Sequence, residues 1–156
     1  QYGTLDPAAY CSRDQFVIML WRYAGRPKVS NGVPYTDIDQ SNPAYTSLQW
    51  TVSEGITTGF TDGTFRPSDT ITRKQICKMF WNWAGQPTAE GKDTIIDLLE
   101  GDSEFTAVMW CCENGIIAAE ENADGKLTIR PEDTCQRQQA AELLYNFAKN
   151  IRGDKI

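Results

Sequence analysis

The sequence predicts an all-α fold in which helix–loop–helix repeats surround a central three-helix bundle. Three observations predict it. A segment of about 60 residues recurs along the chain, the apolar residues of each copy fall at helical spacing, and caps and glycine stops bound the copies. Single helix pairs of this size cannot bury their faces alone, so the repeats must stack.

The clearest copy is Thr72-Arg73-Lys74-Gln75 running to Ala84-Gly85-Gln86-Pro87. An earlier one, offset by 60 residues, runs from Ser12-Arg13-Asp14-Gln15 to Ala24-Gly25-Arg26-Pro27, and a third runs from Gln136-Arg137-Gln138-Gln139 to Phe147-Ala148. In the middle copy Ile76, Met79, Phe80 and Trp83 follow i, i+3, i+4, i+7, one face of a helix. Phe16, Met19, Leu20 and Tyr23 repeat that face, as do Ala140, Leu143, Leu144 and Phe147. Ser12 with Gln15 and Thr72 with Gln75 form capping boxes, while Gly25 and Gly85 with the following prolines stop the helices.

A second unit alternates with the first. Tyr45–Ile56 aligns with Phe105–Ile116, preceded by Tyr35-Thr36-Asp37-Ile38 and Ile95-Ile96-Asp97-Leu98. Tyr45, Leu48 and Val52 share one helical face and predict its buried side. The connecting loop Gly59–Pro67 turns at Asp62-Gly63, with Phe60 and Phe65 expected to fold back under the helices; any strand there is short. Its counterparts are Asp124–Pro131 and Gly3-Thr4-Leu5-Asp6-Pro7. The organisation is therefore half a repeat (1–28), a whole repeat (35–87), another whole repeat (95–149) and a polar tail (150–156). No signal-peptide pattern appears at Gln1, and the chain is expected to be a mature or excised piece.

Composition narrows the function. The net charge of −6 disfavours a broad phosphate-binding surface, though one anionic group can still be held locally. The chain has no histidine, which removes the usual general base and the commonest metal ligand. Five cysteines, an odd number without a Cys-x-x-Cys pair, read as small buried apolar residues. A calcium loop counted from Glu120 meets Pro131 at its twelfth place, and Arg152-Gly153-Asp154 reads as a chance tripeptide. No metal, cofactor or catalytic site is expected, and the chain reads as a binding or anchoring module rather than an enzyme.

The run Gly55-Ile56-Thr57-Thr58-Gly59-Phe60-Thr61-Asp62-Gly63-Thr64-Phe65-Arg66-Pro67 with Ile71-Thr72-Arg73 closely resembles the S-layer homology repeat. The resemblance implies a pseudo-threefold helical spindle of three repeats. It implies an extracellular bacterial protein held non-covalently on secondary cell-wall polysaccharide, often through a pyruvate ketal on a terminal amino sugar, in grooves between repeats. The family's anion-binding arginine falls on Arg13, Arg73 and Arg137, its leading aspartate on Asp37 and Asp97, and its loop glycine on Gly59. The family's glutamate is replaced by Gln15, Gln75 and Gln139, Ala119 stands where repeat 2 has Gly59, and Gln136 replaces the capping hydroxyl of repeat 3. The groove at repeat 3 is thus expected to be degenerate, and the groove of repeat 1 to need a neighbouring chain. The alternative is a structural, protein-packing module that has lost glycan binding.

Independently of the resemblance, each arginine sits in a helical first turn, where the dipole and free N–H groups favour an anion. A guanidinium fork suits a carboxylate, either of a ligand or of Asp37, Asp69 or Asp133 within the chain. Trp50 and Trp110 lie off the apolar stripe. They read either as core or as a sugar-stacking platform, and Trp50 enters the candidate site on the second reading.

Overall fold

The computed structural model describes residues 6–155. The loop copy at Gly3-Thr4-Leu5 lies outside the described residues. Five α-helices carry the fold: α1 (Arg13–Tyr23), α2 (Tyr45–Ser53), α3 (Arg73–Trp83), α4 (Phe105–Glu113) and α5 (Arg137–Phe147). A hairpin of two-residue strands, β1 (Glu120–Glu121) and β2 (Leu127–Thr128), lies in the longer loop of repeat 3. The molecule is all-α apart from that hairpin, as the repeat pattern predicts.

The arginine helices α1, α3 and α5 form the centre. Phe16, Leu20, Ile76, Phe80, Ala140 and Phe147 are fully buried. Equivalent positions of the three helices meet in sequence: the Tyr23 ring stands edge-on to Trp83 at 5.8 Å, and Trp83 stacks on Phe147 at 5.3 Å. Phe80 stacks on Phe147 at 4.5 Å.

The segments before the three helices close into a ring. Cys11 N–H donates to Cys135 O (2.8 Å), Cys135 N–H to Ile71 O (3.0 Å) and Ile71 N–H to Cys11 O (2.9 Å). The same relation governs the helix ends. Arg13 and Asp14 N–H donate to Asp69 and Pro67 carbonyls, Arg73 and Lys74 to Asp133 and Pro131, and Arg137 and Gln138 to Ala9 and Pro7. Each helix is therefore capped by the loop that leads into the next, and the pseudo-threefold order is written in main-chain hydrogen bonds.

The capping boxes form with a difference. Gln15, Gln75 and Gln139 each accept from the N–H of residues 12, 72 and 136 through the side-chain carbonyl, at 3.0, 3.1 and 2.8 Å. An amide oxygen does this as well as a carboxylate, so the missing glutamates cost no cap. In α1 it is the Asp14 carboxylate, not the Ser12 hydroxyl, that accepts from Gln15 N–H.

Two expectations need correction. The outer helix α2 buries Ser47, Leu48, Trp50 and Thr51, while Tyr45 and Val52 are only half-buried. The reason is a second cover: Asn31 and Gln49 exchange side-chain-to-main-chain hydrogen bonds, laying the linker across the face opposite α1. The predicted polar tail at 150–156 is in part helical. Lys149 occupies the position of Gly25 and Gly85, so nothing stops α5, and a π-helical turn continues over Ala148–Arg152 to the left-handed Gly153. Asn150 then donates to the carbonyls of Asn114 and Gly115, Arg152 lies over Trp83 at 5.0 Å, and Tyr23 hydrogen-bonds Asp154.

Candidate functional site

A groove of about 320 Å³ lies between the loop after α2 and the solvent side of α3. Arg13 reaches it from α1. Thr57, Thr58, Gly59 and Phe60 form one wall, Lys74, Gln75, Lys78 and Met79 form the other, and Glu104 and Glu132 also line the groove. Asn82 fixes the walls relative to each other by donating to Ile56 O at 3.1 Å.

Arg13 is 5% exposed, and its guanidinium lies between two rings, 4.7 Å from the Phe60 centroid and 4.6 Å from Phe65. Its Nε–H donates to Phe65 O at 2.9 Å. Burial pushes its pKa down to about 10, with nearby Tyr35 and Asp69 opposing the fall, so the group stays cationic at neutral pH. Among the described residues, no carboxylate oxygen lies within 4.0 Å of Arg13, Arg73 or Arg137. The internal ion pair with Asp37, Asp69 or Asp133 is therefore not formed.

The leading aspartates do other work. The two oxygens of Asp37 accept from Phe65 and Arg66 N–H, both at 2.8 Å. Those of Asp97 accept from Ile129 and Arg130 N–H at 2.9 and 2.7 Å. Arg66 and Arg130 have φ of 57° and 51°, a left-handed conformation that the carboxylate clamp holds. Asp37 thus places the carbonyl that orients Arg13, and Asp97 places the Ile129 carbonyl that accepts from Arg73 Nε at 2.8 Å. Both aspartates position the arginines through the loop and do not touch them.

Gly59 has φ +66°, and a Cβ there would lie 2.9 Å from Thr64 O and strike the Tyr35 ring. The glycine lets the loop close over Tyr35 and leaves the groove open above it.

Two expectations about the site are revised, and the inequality expected among the three grooves takes physical form. The helix N-termini offer no free N–H at their first two positions, because the neighbouring loop takes both, so the guanidinium and not the helix end carries any anion contact. Trp50 is 5% exposed and stands edge-on to Trp83 at 5.4 Å, which removes its ring face from sugar stacking. The three arginines are not equivalent. Arg73 has Ile129 and Glu120 where Arg13 has Phe65 and Phe60, and it reaches the Ala118 carbonyl at 3.4 Å. Arg137 Nε meets Gln15 Oε1 at 3.4 Å.

The pattern missed Lys74 and Lys78, which line the groove one helical turn apart. Lys74 ion-pairs with Glu132 at the rim, and Lys78 donates to Ser103 O at 3.3 Å. A comparison of the copies at these two positions marks the lysines as peculiar to α3, since α1 has Asp14 and Ile18 and α5 has Gln138 and Glu142. A second hollow of about 470 Å³ borders Trp110, but Glu90, Asp93 and Glu113 line it and oppose an anion.

A helical repeat module whose open groove is lined by Arg13, Lys74 and Lys78 has the build of a binding module. Residues 34–77 match the family model "S-layer homology domain". Residues 34–77 thus carry an S-layer homology repeat, a non-catalytic anchoring module in general, and this similarity places the chain at the cell surface or cell wall. A 76-residue stretch is 38% identical to an endoglucanase of Bacillus sp. (strain KSM-635), covering 49% of this chain and 8% of that protein. The undecaheme cytochrome from the S-layer of Carboxydothermus ferrireducens is similar in structure over 96% of this chain and 23% of its own, with 15% identity and a TM-score of 0.46. The chain thus corresponds to a small part of either protein. No helix among the described residues is long and apolar enough to cross a membrane.

Proposed function

We propose that this module anchors a larger extracellular protein by binding an acidic, pyruvylated secondary cell-wall polysaccharide in the groove over Arg13. The observation that carries the reading is a guanidinium buried between two aromatic rings, lacking a carboxylate partner, at the floor of an open groove. An arginine desolvated without an internal counter-ion gains most from an incoming carboxylate, since the cost of stripping water is met before the ligand arrives. Gly59 keeps the loop low, Asp37 holds it, and Thr57 and Thr58 offer hydroxyls along the wall.

Sacculi that carry their polysaccharide should pull the protein down, and sacculi stripped of it should not. Equal behaviour of the two would end the proposal. Arg13→Ala is expected to abolish the difference, whereas Arg137→Ala leaves most of it.

The second reading, a protein-packing module, has one observation of its own. α1 packs against α2 and α3 against α4, while α5 carries no outer helix among the described residues and leaves Tyr145 43% exposed. Retention on an immobilised host-protein fragment with no retention on sacculi would favour it.

A further inference from the structure

The arginine recurs in all three copies, yet the walls of the grooves differ in charge. In the groove over Arg13, the α3 wall presents Lys74 and Lys78. The groove over Arg73 is built the same way from α5. Arg73 reaches the Ala118 carbonyl, and Asn146 donates to Ile116 O at 3.1 Å, as Asn82 does to Ile56 O. The residues at the two lysine positions are Gln138 and Glu142. At the third arginine the wall helix is α1, with Asp14 and Ile18 there.

We propose that Lys74 and Lys78 decide which groove takes the ligand, so that the chain holds one acidic glycan site, over Arg13, and none over Arg73. The inference rests on the glycan reading above and deepens it. Arg13 takes the terminal carboxylate. Lys78, one turn farther along α3, and Lys74 meet further anionic or carbonyl oxygens of the chain lying in the groove. The existing Lys74–Glu132 pair does not oppose this, because Glu132 is 71% exposed and such surface pairs open at little cost. By the repeat, Glu142 takes on α5 the position that Lys78 has on α3, so the wall over Arg73 carries an anion in place of a cation, and a like charge on a groove wall disfavours an acidic partner. The aromatic sandwich reinforces the choice, since Arg73 has an isoleucine and a glutamate in place of Phe65 and Phe60.

The test is calorimetric titration of the whole chain with the methyl glycoside of an N-acetylhexosamine carrying a 4,6-pyruvate ketal, alongside the sacculus pull-down. The wild type should bind one equivalent. K74Q/K78E, which copies the α5 wall onto α3, should weaken binding about tenfold or more, and K74R/K78R should keep it. Q138K/E142K, the reverse exchange, should add a second, weaker equivalent. Two equivalents in the wild type overturn the proposal. So does unchanged affinity in K74Q/K78E, or a single equivalent in Q138K/E142K. Those outcomes leave the glycan reading standing, whereas a wild type that binds neither probe nor sacculi brings down both.

Discussion

At the scale of the residue, Arg13 shows how a function can be paid for in stability. Its pKa falls from the ordinary arginine value to about 10 through burial, which corresponds to roughly 3 kcal/mol lost by holding the charge in the folded state. The folded protein binds this proton less tightly than the unfolded chain. The cost is therefore present at neutral pH and is relieved only as pH rises through about 10. The Phe65 carbonyl and the two rings return part of it. Arg13→Met should thus shift the unfolding free energy by less than about 1 kcal/mol in urea melts while removing glycan binding. A loss above about 3 kcal/mol would instead mark the arginine as a structural staple. Binding by the wild type should be flat from about pH 6 to 9, since no histidine titrates there, and decline as Arg13 loses charge near 10. Gly59→Ala should cost about 2 kcal/mol because a Cβ meets main chain on one side and Tyr35 on the other. The thiols are a quieter case. Burial pushes Cys11 and Cys135 up to about 11 and Cys112 to about 12, so these three form no ready thiolate at pH 7. A thiol reagent should label the native chain slowly, half-buried Cys112 first, and reach all five only on unfolding.

At the scale of the element, the inner and outer helices differ in how plainly the sequence shows them. The inner faces were legible because one side of α1, α3 and α5 meets the core and the other meets water, which writes a 3.6-residue period. The outer helices are covered twice, by an inner helix and by a linker. Their buried positions, such as Ser47, Trp50 and Thr51 in α2 and Ala107 to Cys111 in α4, run past any single stripe. The loops hid their chemistry for another reason. The acceptors of Arg13 and Arg73 are the carbonyls of Phe65 and Ile129, and a main-chain acceptor leaves no mark in side-chain identity. Asp37 entered the candidate site through the family resemblance, whereas its two oxygens are spent on Phe65 and Arg66 N–H. Asp37→Ala leaves the part-buried Phe65 N–H and the exposed Arg66 N–H without their acceptor and frees a left-handed turn. It should cost about 1–3 kcal/mol in chemical denaturation and weaken glycan binding indirectly, by letting the Arg13 acceptor drift. Asp37→Asn, which keeps one acceptor, should fall between the two.

At the scale of the molecule, the ring through Cys11, Ile71 and Cys135 joins points of the chain that are far apart in sequence. Pro7 and Ala9 cap α5, so the amino-terminal segment stabilises the carboxy-terminal helix directly. Deleting residues 6–12 should therefore expose the first-turn amides of α5 to hydrogen exchange and lower the melting temperature by several degrees. Unchanged protection at Arg137 and Gln138 would contradict the closure. Stacked open arrays tolerate gain or loss of a unit at either end, because each unit leans only on its neighbours. Here the third cap is donated by the first segment, and among the described residues the inner ring of main-chain hydrogen bonds is closed. Evolution can then lengthen such an anchor only in whole triplets strung on linkers, and its avidity for a surface must rise in steps rather than one repeat at a time.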